Sequence, residues 1–486
     1  MENIDIILVG CGPTSAVLAS LLAQYGWNIA IFERNLEIYD LPRAVFFDDE
    51  VMRIFQQIGL SDEIVTLTNK VQGMQLLNAK DEMLAEYIAE DAPEPSGWHA
   101  GYMFHQPTLE KTLRDGMKRH PNISLHLGAE VTKISQSKQL VTIEVETKEG
   151  LSTYSAKYLV GCCGARSITR SVIETGVQDF HADQDWIVID IELLKYIELP
   201  QYTVQYCDPG RPSTFIPTPG LFRRFELMLM PDESADEMLH PNKISELLSK
   251  WLKPEDYRIT RSTVYQFHAL IAEKWRSGSV FIAGDAAHQM PPFLGQGMCS
   301  GIKDAANLAW KLDAVLKGIA SPNLLDTYEA ERRPFVEEVI RADLWLSDMI
   351  QTTSAAIANE RDAQLLNAPP SAKKLNPPKI KLGGSYCQKN ELSAAPFIQP
   401  LMTDGVLHDI HLGNHFALIG DIPISNLSED LINKFAIKKI TDPVPEISNW
   451  LIKNNAKAVL VRPDKYVQAV LTADSNLEEI LQSLEQ

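Results

Sequence analysis

Two glycine-bearing segments contain the residues of this chain that are best suited to hold a phosphorylated ligand. The first is Gly10-Cys11-Gly12-Pro13-Thr14-Ser15, which directly follows the apolar run Ile6-Ile7-Leu8-Val9. Gly10 permits a tight turn. Gly12 lets the backbone approach a pyrophosphate at the start of the next helix, where unpaired N–H groups and the helix dipole favour anions. Ser15 stands where a third glycine or alanine is usual, and its hydroxyl can reach a phosphate. This segment predicts a nucleotide-binding turn.

A βαβ unit is predicted around this turn. Residues 16–23 have helical spacing, and a second apolar run at 28–32 leads into Glu33-Arg34. An acid at the end of the second strand accepts hydrogen bonds from a ribose diol. An ordinary packing turn is the alternative, but strand, turn, helix, strand and terminal acid together favour nucleotide binding.

The second segment lies far along the chain. Residues 279–283 are predicted to form a buried strand that ends at Gly284-Asp285, and the loop 291–297 leads into a helix from Met298. Asp285 can bind the ribityl hydroxyls of a flavin, or it can simply cap the next turn. The N-terminus of the helix can stabilise negative charge on a reduced flavin. A dinucleotide with a long polyol needs anchors at both ends, so the two segments together predict FAD and redox chemistry.

Composition narrows the class of protein. A length of 486 residues predicts two or three domains, and a formal net charge of −19 argues against nucleic-acid binding. The six cysteines form neither a paired pattern nor a zinc motif, which favours a reducing compartment. No secretory signal and no apolar run of about 18 residues is visible, so we expect a cytoplasmic protein without a membrane span.

On several motifs the chain resembles the flavin-dependent aromatic hydroxylases, which are single-component FAD monooxygenases with the para-hydroxybenzoate hydroxylase fold. Its nearest branch looks like the 3-(3-hydroxyphenyl)propionate hydroxylases, and the resemblance covers nearly the whole chain. The matching stretches are Arg43-Ala44-Val45, Asp48-Asp49-Glu50, Phe104-His105-Gln106-Pro107, Arg224-Phe225-Glu226, Val264-Tyr265, Phe267-His268-Ala269, residues 284–301 and Arg462-Pro463-Asp464.

The resemblance implies both a cofactor site and a reaction. It places Glu33 and Arg34 at the adenosine, Arg43 and Gln106 near the flavin and pyrophosphate, and Asp285 at the ribityl chain. The remaining cofactor-binding residues that we predict are Gly10, Gly12, Pro13, Thr14, Ser15, Val131, Gly295, Gly297 and Met298. The implied reaction uses NAD(P)H to reduce FAD, adds O2 to give a C4a-hydroperoxide, and transfers one oxygen to a small phenolic substrate. The predicted protein is a monomer or homodimer.

Four side chains are candidates for a catalytic role: His288, Tyr206, Tyr265 and His268. His288 follows the ribityl aspartate and can act as an acid, a base or an orienting group, or it can be a structural histidine. Packing of a strand face explains the other three equally well. Arg223 and Arg224 can recognise a substrate carboxylate, or they can merely pair with Glu226.

The predicted fold class is α/β, with a Rossmann-type FAD-binding domain, an antiparallel-sheet substrate domain and, by resemblance, a thioredoxin-like C-terminal α/β domain. We place the first part of the FAD domain at 1–177 and the substrate sheet at 178–270. The second part of the FAD domain, with a long helix from Leu324 to about Met349, is placed at 271–350. A linker is placed at 351–397 and the C-terminal domain at 398–486. That domain has no Cys-x-x-Cys motif, so we expect it to be redox-inert.

One departure from the family pattern leaves other functions open. The family usually has an acid in its middle motif, where this chain has Cys163 in Gly161-Cys162-Cys163-Gly164. That acid normally supports the use of the nicotinamide cofactor. The alternatives are therefore an FAD oxygenase that modifies a polyketide, quinone or antibiotic, and a flavoprotein with impaired NAD(P)H use.

Overall fold

A largely parallel sheet gathers the turns of both glycine segments at one edge. The computed structural model describes residues 3–38, 44–91, 95–375, 382–383, 392–421, 429–441 and 443–485. The strand order in this sheet is β20-β21-β12-β1-β2-β8, and only β20 runs antiparallel. The bounds are β1 Ile6–Val9, β2 Ile29–Glu33, β8 Ile123–Leu127, β12 Tyr158–Gly161, β20 Arg276–Ser277 and β21 Val280–Ile282.

The register of the three central strands brings their ends together. Val9 pairs with Gly161, and Gly161 pairs with Ile282. The ladder continues into the turns, because Cys162 N donates to Val9 O at 2.8 Å and Ala283 N donates to Gly161 O at 3.0 Å. All four residues of β1 are buried, as expected for a strand covered on both faces. The carboxyl edge of a parallel sheet is where α/β proteins bind ligands.

Two helices cover this sheet beside the ligand edge. Helix α1 (Pro13–Gln24) begins directly after Gly12, with a proline at its first position, where a missing N–H costs nothing. Helix α8 (Gln296–Leu316) begins at Gly295, which has φ +66°. Helix α9 (Asp326–Gln351) continues past Pro334 and packs against α8.

A second, mostly antiparallel sheet lies over the open side of the ligand edge. Its strand order is β18-β14-β17-β16-β15-β5-β6, with β15 and β5 parallel. The strands β5 and β6 come from the part of the chain that the sequence-based boundaries assign to the first part of the FAD domain. The bounds are β5 Gly73–Leu77, β6 Met83–Ile88, β14 Gln184–Leu193, β15 Thr203–Tyr206, β16 Ser213–Ile216, β17 Phe222–Met228 and β18 Tyr257–Phe267.

Strand alternation gives this second sheet two different faces. One face packs Ile187, Ile189, Phe225 and Leu227 into an apolar core. The opposite face carries Asp190, Arg224, Glu226 and Arg261, and it turns toward the parallel sheet. The polar face is therefore the one that can meet a ligand. Two helices lie close in sequence to these strands: α6 Ala235–Met238 and α7 Pro241–Leu248.

Smaller elements complete the part of the chain before residue 375. One three-stranded sheet has the order β3-β7-β4, another β11-β10-β9, and a third β13-β19-β22. The strand bounds are β3 Phe46–Asp48, β4 Asn69–Lys70, β7 Gly101–Met103, β9 Glu130–Gln136, β10 Val141–Thr147, β11 Gly150–Ala156, β13 Val177–Asp179, β19 Leu270–Ala272 and β22 His288–Gln289. The helix bounds are α2 Asp49–Gln57, α3 Ser61–Thr66, α4 Gln106–Met117, α5 Ile168–Ile173 and α10 Ala355–Leu366. Helix α10 lies inside the stretch predicted as a linker.

The C-terminal region forms a thioredoxin-like sheet with the order β24-β23-β25-β26. Strands β23 and β24 are parallel, and the other two pairs are antiparallel. The strand bounds are β23 Ala417–Gly420, β24 Lys438–Ile440, β25 Ala458–Val461 and β26 Val467–Leu471. The helix bounds are α11 His408–Leu412, α12 Glu429–Lys434, α13 Pro445–Lys453 and α14 Leu477–Glu485. Among the described helices, none has the length and apolar character needed to cross a membrane.

Buried charges join the C-terminal region to the FAD-binding region. Glu331 of α9 accepts hydrogen bonds from Arg462 Nη1 at 2.9 Å, Lys311 Nζ at 2.8 Å and Asn307 Nδ2 at 2.7 Å. Burial alone would raise the pKa of Glu331, but Arg462 and Lys311 lower it to about 2. A second pair joins Arg53 of α2 to Asp409 of α11, and both side chains are 5% exposed. These contacts fix the two regions as one body.

Replacement of Glu331 by alanine tests this junction. The change leaves Arg462 and Lys311 buried without their shared carboxylate, so we expect the free energy of unfolding to fall by about 3–5 kcal/mol at neutral pH. The pKa of Glu331 is lower in the folded chain than its ordinary value of 4.5. Its stabilising effect is therefore complete above that value and is lost as the pH falls toward about 2. Denaturant titration measures the change.

The matched control is Glu338→Ala, on the same helix but exposed to solvent. This control is expected to shift stability by no more than about 0.5 kcal/mol. Equal losses in the two variants would contradict a structural role for the buried ion network.

Candidate active site

A single cavity of about 1380 Å³ extends from the first glycine turn to the polar face of the antiparallel sheet. Sites for one drug-sized molecule usually measure about 300–1,000 Å³. Gly10 and Glu33 line one end, Asp285 and the loop 291–297 line the middle, and Arg224 and Glu226 line the other end. The cavity therefore has room for a dinucleotide and a second, smaller ligand.

The two glycine segments touch each other at Thr14. A Cβ added to Gly284 would lie 2.8 Å from Thr14 Oγ1, and one added to Gly301 would lie 2.5 Å from the same atom. Both distances are shorter than real Cβ contacts, so only glycine allows α1 to approach the turn and α8 this closely. Residues separated by more than 250 positions are thereby held at one point of the site.

A buried carboxylate, Asp304 of α8, fixes the second segment. It accepts hydrogen bonds from Gly284 N at 3.1 Å, His288 Nε2 at 2.7 Å and Arg332 Nε at 2.8 Å. Burial opposes its ionisation, but His288 and Arg332 hold the pKa of its carboxyl below the ordinary value. Because Gly284 is held in this way, Asp285 is presented to the cavity at a fixed position.

The first turn and the end of β2 form the other anchor. Gly10 has φ +92°, and a Cβ there would lie 2.6 Å from Cys162 O, so this turn requires glycine. Glu33 Oε2 accepts from Cys11 N at 2.8 Å, and Oε1 accepts from Asn35 N at 2.9 Å. These bonds orient the Glu33 carboxylate at the cavity wall.

Arg114 of α4 is a site residue that the sequence analysis missed. Its Nη2 donates to Cys11 O at 3.2 Å, and its side chain lines the cavity. Its Nε is buried, and it has no hydrogen-bond partner within the described part of the chain. An arginine held against the glycine turn with a donor still available suits a phosphate oxygen. The sequence pattern that could have revealed Arg114 is its spacing from Gln106, because residues eight apart lie on the same side of a helix.

The structure brings most of the predicted cofactor residues to one surface. Those in the cavity wall are Gly10, Gly12, Pro13, Thr14, Glu33, Arg34, Gln106, Val131, Asp285, Gly295, Gly297 and Met298. Ser15 is fully buried behind this wall, and its hydroxyl has no partner among the described residues. Arg43 lies outside the described residues.

FAD fits the donors and acceptors of this surface. Apart from its chain neighbours, no atom of the described residues lies within 4 Å of the position that a Cβ on Gly12 would occupy, so the backbone there is open to a ligand. The available Arg114 donor suits the pyrophosphate, the Glu33 carboxylate suits a ribose, and Asp285 suits a polyol. The start of α8 lies further along the same cavity, with Gln296 and Gly297 in its wall.

The polar face of the antiparallel sheet carries a compact charge network. Arg224 donates to Asp190 Oδ1 at 2.7 Å and to Asp190 Oδ2 at 3.0 Å. Arg261 Nη1 lies 3.6 Å from Asp190 Oδ2, and Arg224 Nη1 lies 3.7 Å from Glu226 Oε1. Burial raises the pKa of the Glu226 carboxyl, against the opposing effect of Arg224. Arg223 points to the other face, where it donates to Thr218 O and Gly220 O.

The four catalytic candidates separate into two pairs. Tyr265 lines the cavity, and His288 belongs to its wall with a ring that is fully buried. The side chains of Tyr206 and His268 lie outside the cavity wall, which corrects the expectation that they face a substrate. Tyr206 is on the opposite face of β15 from Gln205, where its hydroxyl accepts from Trp251 Nε1 at 3.0 Å. His268 follows the end of β18 and pairs with Asp183 Oδ1 at 2.8 Å.

His288 is held as an oriented side chain. Its ring is fully buried, and Nε2 contacts Asp304. Its Nδ1 is buried without a hydrogen-bond partner in the described part of the chain.

Cys163, which stands where the family usually has an acid, also lies in the cavity wall, where its Sγ is 3.0 Å from Ser167 Oγ. The middle motif therefore contributes to the same site as the two glycine segments.

Comparison with known proteins agrees with this geometry. A model described as an FAD binding domain matches residues 3–343. The chain is 34% identical over 492 residues to a probable NADH-specific resorcinol 4-hydroxylase of Rhodococcus jostii (strain RHA1), covering 96% of this chain and 92% of that protein. It is 30% identical over 512 residues to a 3-(3-hydroxy-phenyl)propionate/3-hydroxycinnamic acid hydroxylase of Escherichia coli (strain SMS-3-5 / SECEC), again covering 96% and 92%.

Solved structures share the whole fold. The flavin-dependent monooxygenase PieE, in complex with FAD and substrate, aligns with a TM-score of 0.84 at 19% identity, covering 99% of this chain and 98% of that one. Aklavinone-11 hydroxylase, in complex with FAD and aklavinone, aligns with a TM-score of 0.82 at 24% identity over the full length of both chains. The predicted fold class and the predicted FAD cofactor are confirmed. The chain belongs to the FAD binding domain family, and it is an FAD-dependent aromatic hydroxylase.

Proposed function

We propose that this protein hydroxylates the ring of a small phenol, with NADH as the electron donor and O2 as the oxygen source. The observation that carries the proposal is the continuity of the cavity, which runs from the anchors for FAD to a polar sheet face without a dividing wall. The relatives named for resorcinol and for hydroxyphenylpropionate support a phenolic substrate. The relative named NADH-specific supports NADH over NADPH.

Different residues of the cavity bind different parts of the cofactor in this proposal. FAD, when bound, supplies the redox chemistry and the activation of O2 that side chains lack. We assign the pyrophosphate to the turn 10–15 and Arg114, the adenosine ribose to Glu33, and the polyol to Asp285. The start of α8, with its unpaired N–H groups, stabilises negative charge on the ring.

The second half of the cavity holds the phenol and excludes water. Phe267, Phe293 and Leu294 line this half, and Asp343 Oδ1 accepts from Leu294 N at 3.2 Å, which anchors the loop 291–297 to α9. An enclosed apolar wall protects reactive species from water. His288 holds the second segment in place through Asp304. We propose a cytoplasmic monomer or homodimer.

Turnover of NADH tests the proposal. The purified protein, supplied with FAD, is expected to turn yellow and to oxidise NADH faster when resorcinol is added. Spectrophotometry at the NADH band measures the rate, and chromatography identifies a product that carries one more oxygen than the substrate. An NADPH assay at equal concentration serves as the control for the donor.

Three outcomes would contradict parts of this proposal. Failure to bind flavin would remove the cofactor assignment. Oxidation of NADH that no phenol stimulates would favour a flavoprotein with impaired use of the nicotinamide. Stimulation by polycyclic quinones but not by simple phenols would favour the polyketide-type alternative.

Replacement of Arg114 by methionine tests the pyrophosphate end. The change removes a charged donor beside the glycine turn and keeps the length of the side chain. A hydrogen bond to a charged group contributes about 1.5–3 kcal/mol, so we expect FAD to bind roughly ten- to hundredfold more weakly. Quenching of flavin fluorescence during titration of the apoprotein measures the affinity.

Arg119→Met is the matched control. Arg119 lies two residues beyond the end of α4 and pairs with Glu63 at 2.9 Å, and 56% of its side chain is exposed. This control is expected to bind FAD as the unchanged protein does. If both variants bound FAD equally well, Arg114 would have no part in phosphate binding.

A further inference from the structure

The cavity face of the antiparallel sheet changes its chemistry from one row of residues to the next. In the first row, Arg224 of β17 pairs with Asp190 of β14, and Asp190 pairs with Arg261 of β18. Asp190 thus stands between two arginines and contacts both of them. This one carboxylate offsets only one of the two cations, and Glu226 in the next row supplies the second negative charge near them.

The second row presents a hydrogen-bond acceptor to the cavity. Glu226 pairs with Thr214 of β16 on one side and with Val188 of β14 on the other. Thr214 Oγ1 donates to Gln205 Oε1 at 2.5 Å, so the donor of its hydroxyl is already used. The nearest cationic atom to Glu226 is Arg224 Nη1 at 3.7 Å, which is beyond hydrogen-bond length.

Glu226 is therefore an incompletely satisfied buried group. Its exposure is 6%, its side chain lines the cavity, and it receives no hydrogen bond from the described part of the chain. A buried carboxylate is costly unless donors reach it. An acceptor of this kind, which has an ion pair but no hydrogen bond from the described residues, suits a ligand that brings its own O–H or N–H group.

The third row is aromatic. Met228 pairs with Trp186, and Trp186 pairs with Tyr265. Phe293, from the loop 291–297, meets Trp186 edge to face with ring centroids 5.3 Å apart. Phe267 meets Phe293 in the same way at 6.1 Å. A flat arene fits against this group while a polar substituent reaches the second row.

We propose that Glu226 accepts a hydrogen bond from a ring hydroxyl of the substrate. The inference rests on the proposed function and deepens it. The acceptor increases the electron density of the phenolic oxygen and hence of the ring.

Calorimetric titration of the FAD-loaded protein tests this assignment without turnover. The ligands are resorcinol, 1,3-dimethoxybenzene, which lacks O–H donors, and 3-(3-hydroxyphenyl)propionate. The unchanged protein is expected to bind both phenols more tightly than 1,3-dimethoxybenzene. In Glu226→Leu the affinity for resorcinol should fall about ten- to hundredfold, while the affinity for dimethoxybenzene stays the same. Glu226→Gln keeps the shape and should show a smaller loss.

Glu192→Gln and Glu192→Leu are the matched controls. Glu192 is on β14 of the same sheet but outside the cavity wall, where it pairs with Arg258. Both controls should bind all three ligands as the unchanged protein does. If Glu226→Leu does not fold, the affinities of Glu226→Gln and Glu192→Gln for resorcinol are compared instead, and only the first should be reduced.

Several results would overturn the inference. These are an unchanged affinity for resorcinol in the Glu226 variants, an equal loss for resorcinol and dimethoxybenzene, or tighter binding of dimethoxybenzene than of resorcinol by the unchanged protein. The proposed function is read separately, from NADH oxidation. Absence of turnover with the expected binding pattern would reject the function and keep the Glu226 subsite, and turnover without that pattern would do the reverse.

Discussion

The close contact of Thr14 with Gly284 and Gly301 is the constraint on which the active site depends. It can form only because neither glycine has a side chain, and it places the N-terminus of α1 beside the turn that carries Asp285. Asp304 then holds that turn through Gly284 N, and it is itself held by His288 and Arg332. The residues that we assign to the two ends of the cofactor are thus parts of one packed unit.

The antiparallel sheet adds specificity to this unit. Its strands alternate between an apolar core and the cavity, so a few residues decide what the second ligand meets. The first row carries two arginines around one aspartate, the second row offers an acceptor, and the third row offers aromatic surface. The proposed division of the cavity into a cofactor half and a substrate half corresponds to two sheets with different chemistry that face each other.

Much of this arrangement was predictable from local patterns. The apolar run before Gly10 forms β1 at the expected residues, and the long helix predicted from Leu324 to about Met349 is α9 at Asp326–Gln351. The predicted strand at 202–206 forms as β15, but periodicity alone did not reveal which face of it meets the cavity. Tyr206 therefore appeared as a pocket residue, whereas its neighbour Gln205 lines the cavity. Arg114 and Asp304 were missed because each acts through a partner distant in sequence.

The C-terminal region also closes part of the cavity. Ala395 and Pro396 line it, Pro396 forms a bridge with Tyr466, and Tyr466 Oη donates to Glu50 at 2.8 Å. A chain leaving the ribosome exposes its first glycine turn early, but this wall cannot form until residue 466 has been synthesised. Closure of this part of the cavity is consequently a late event in the folding of the nascent chain.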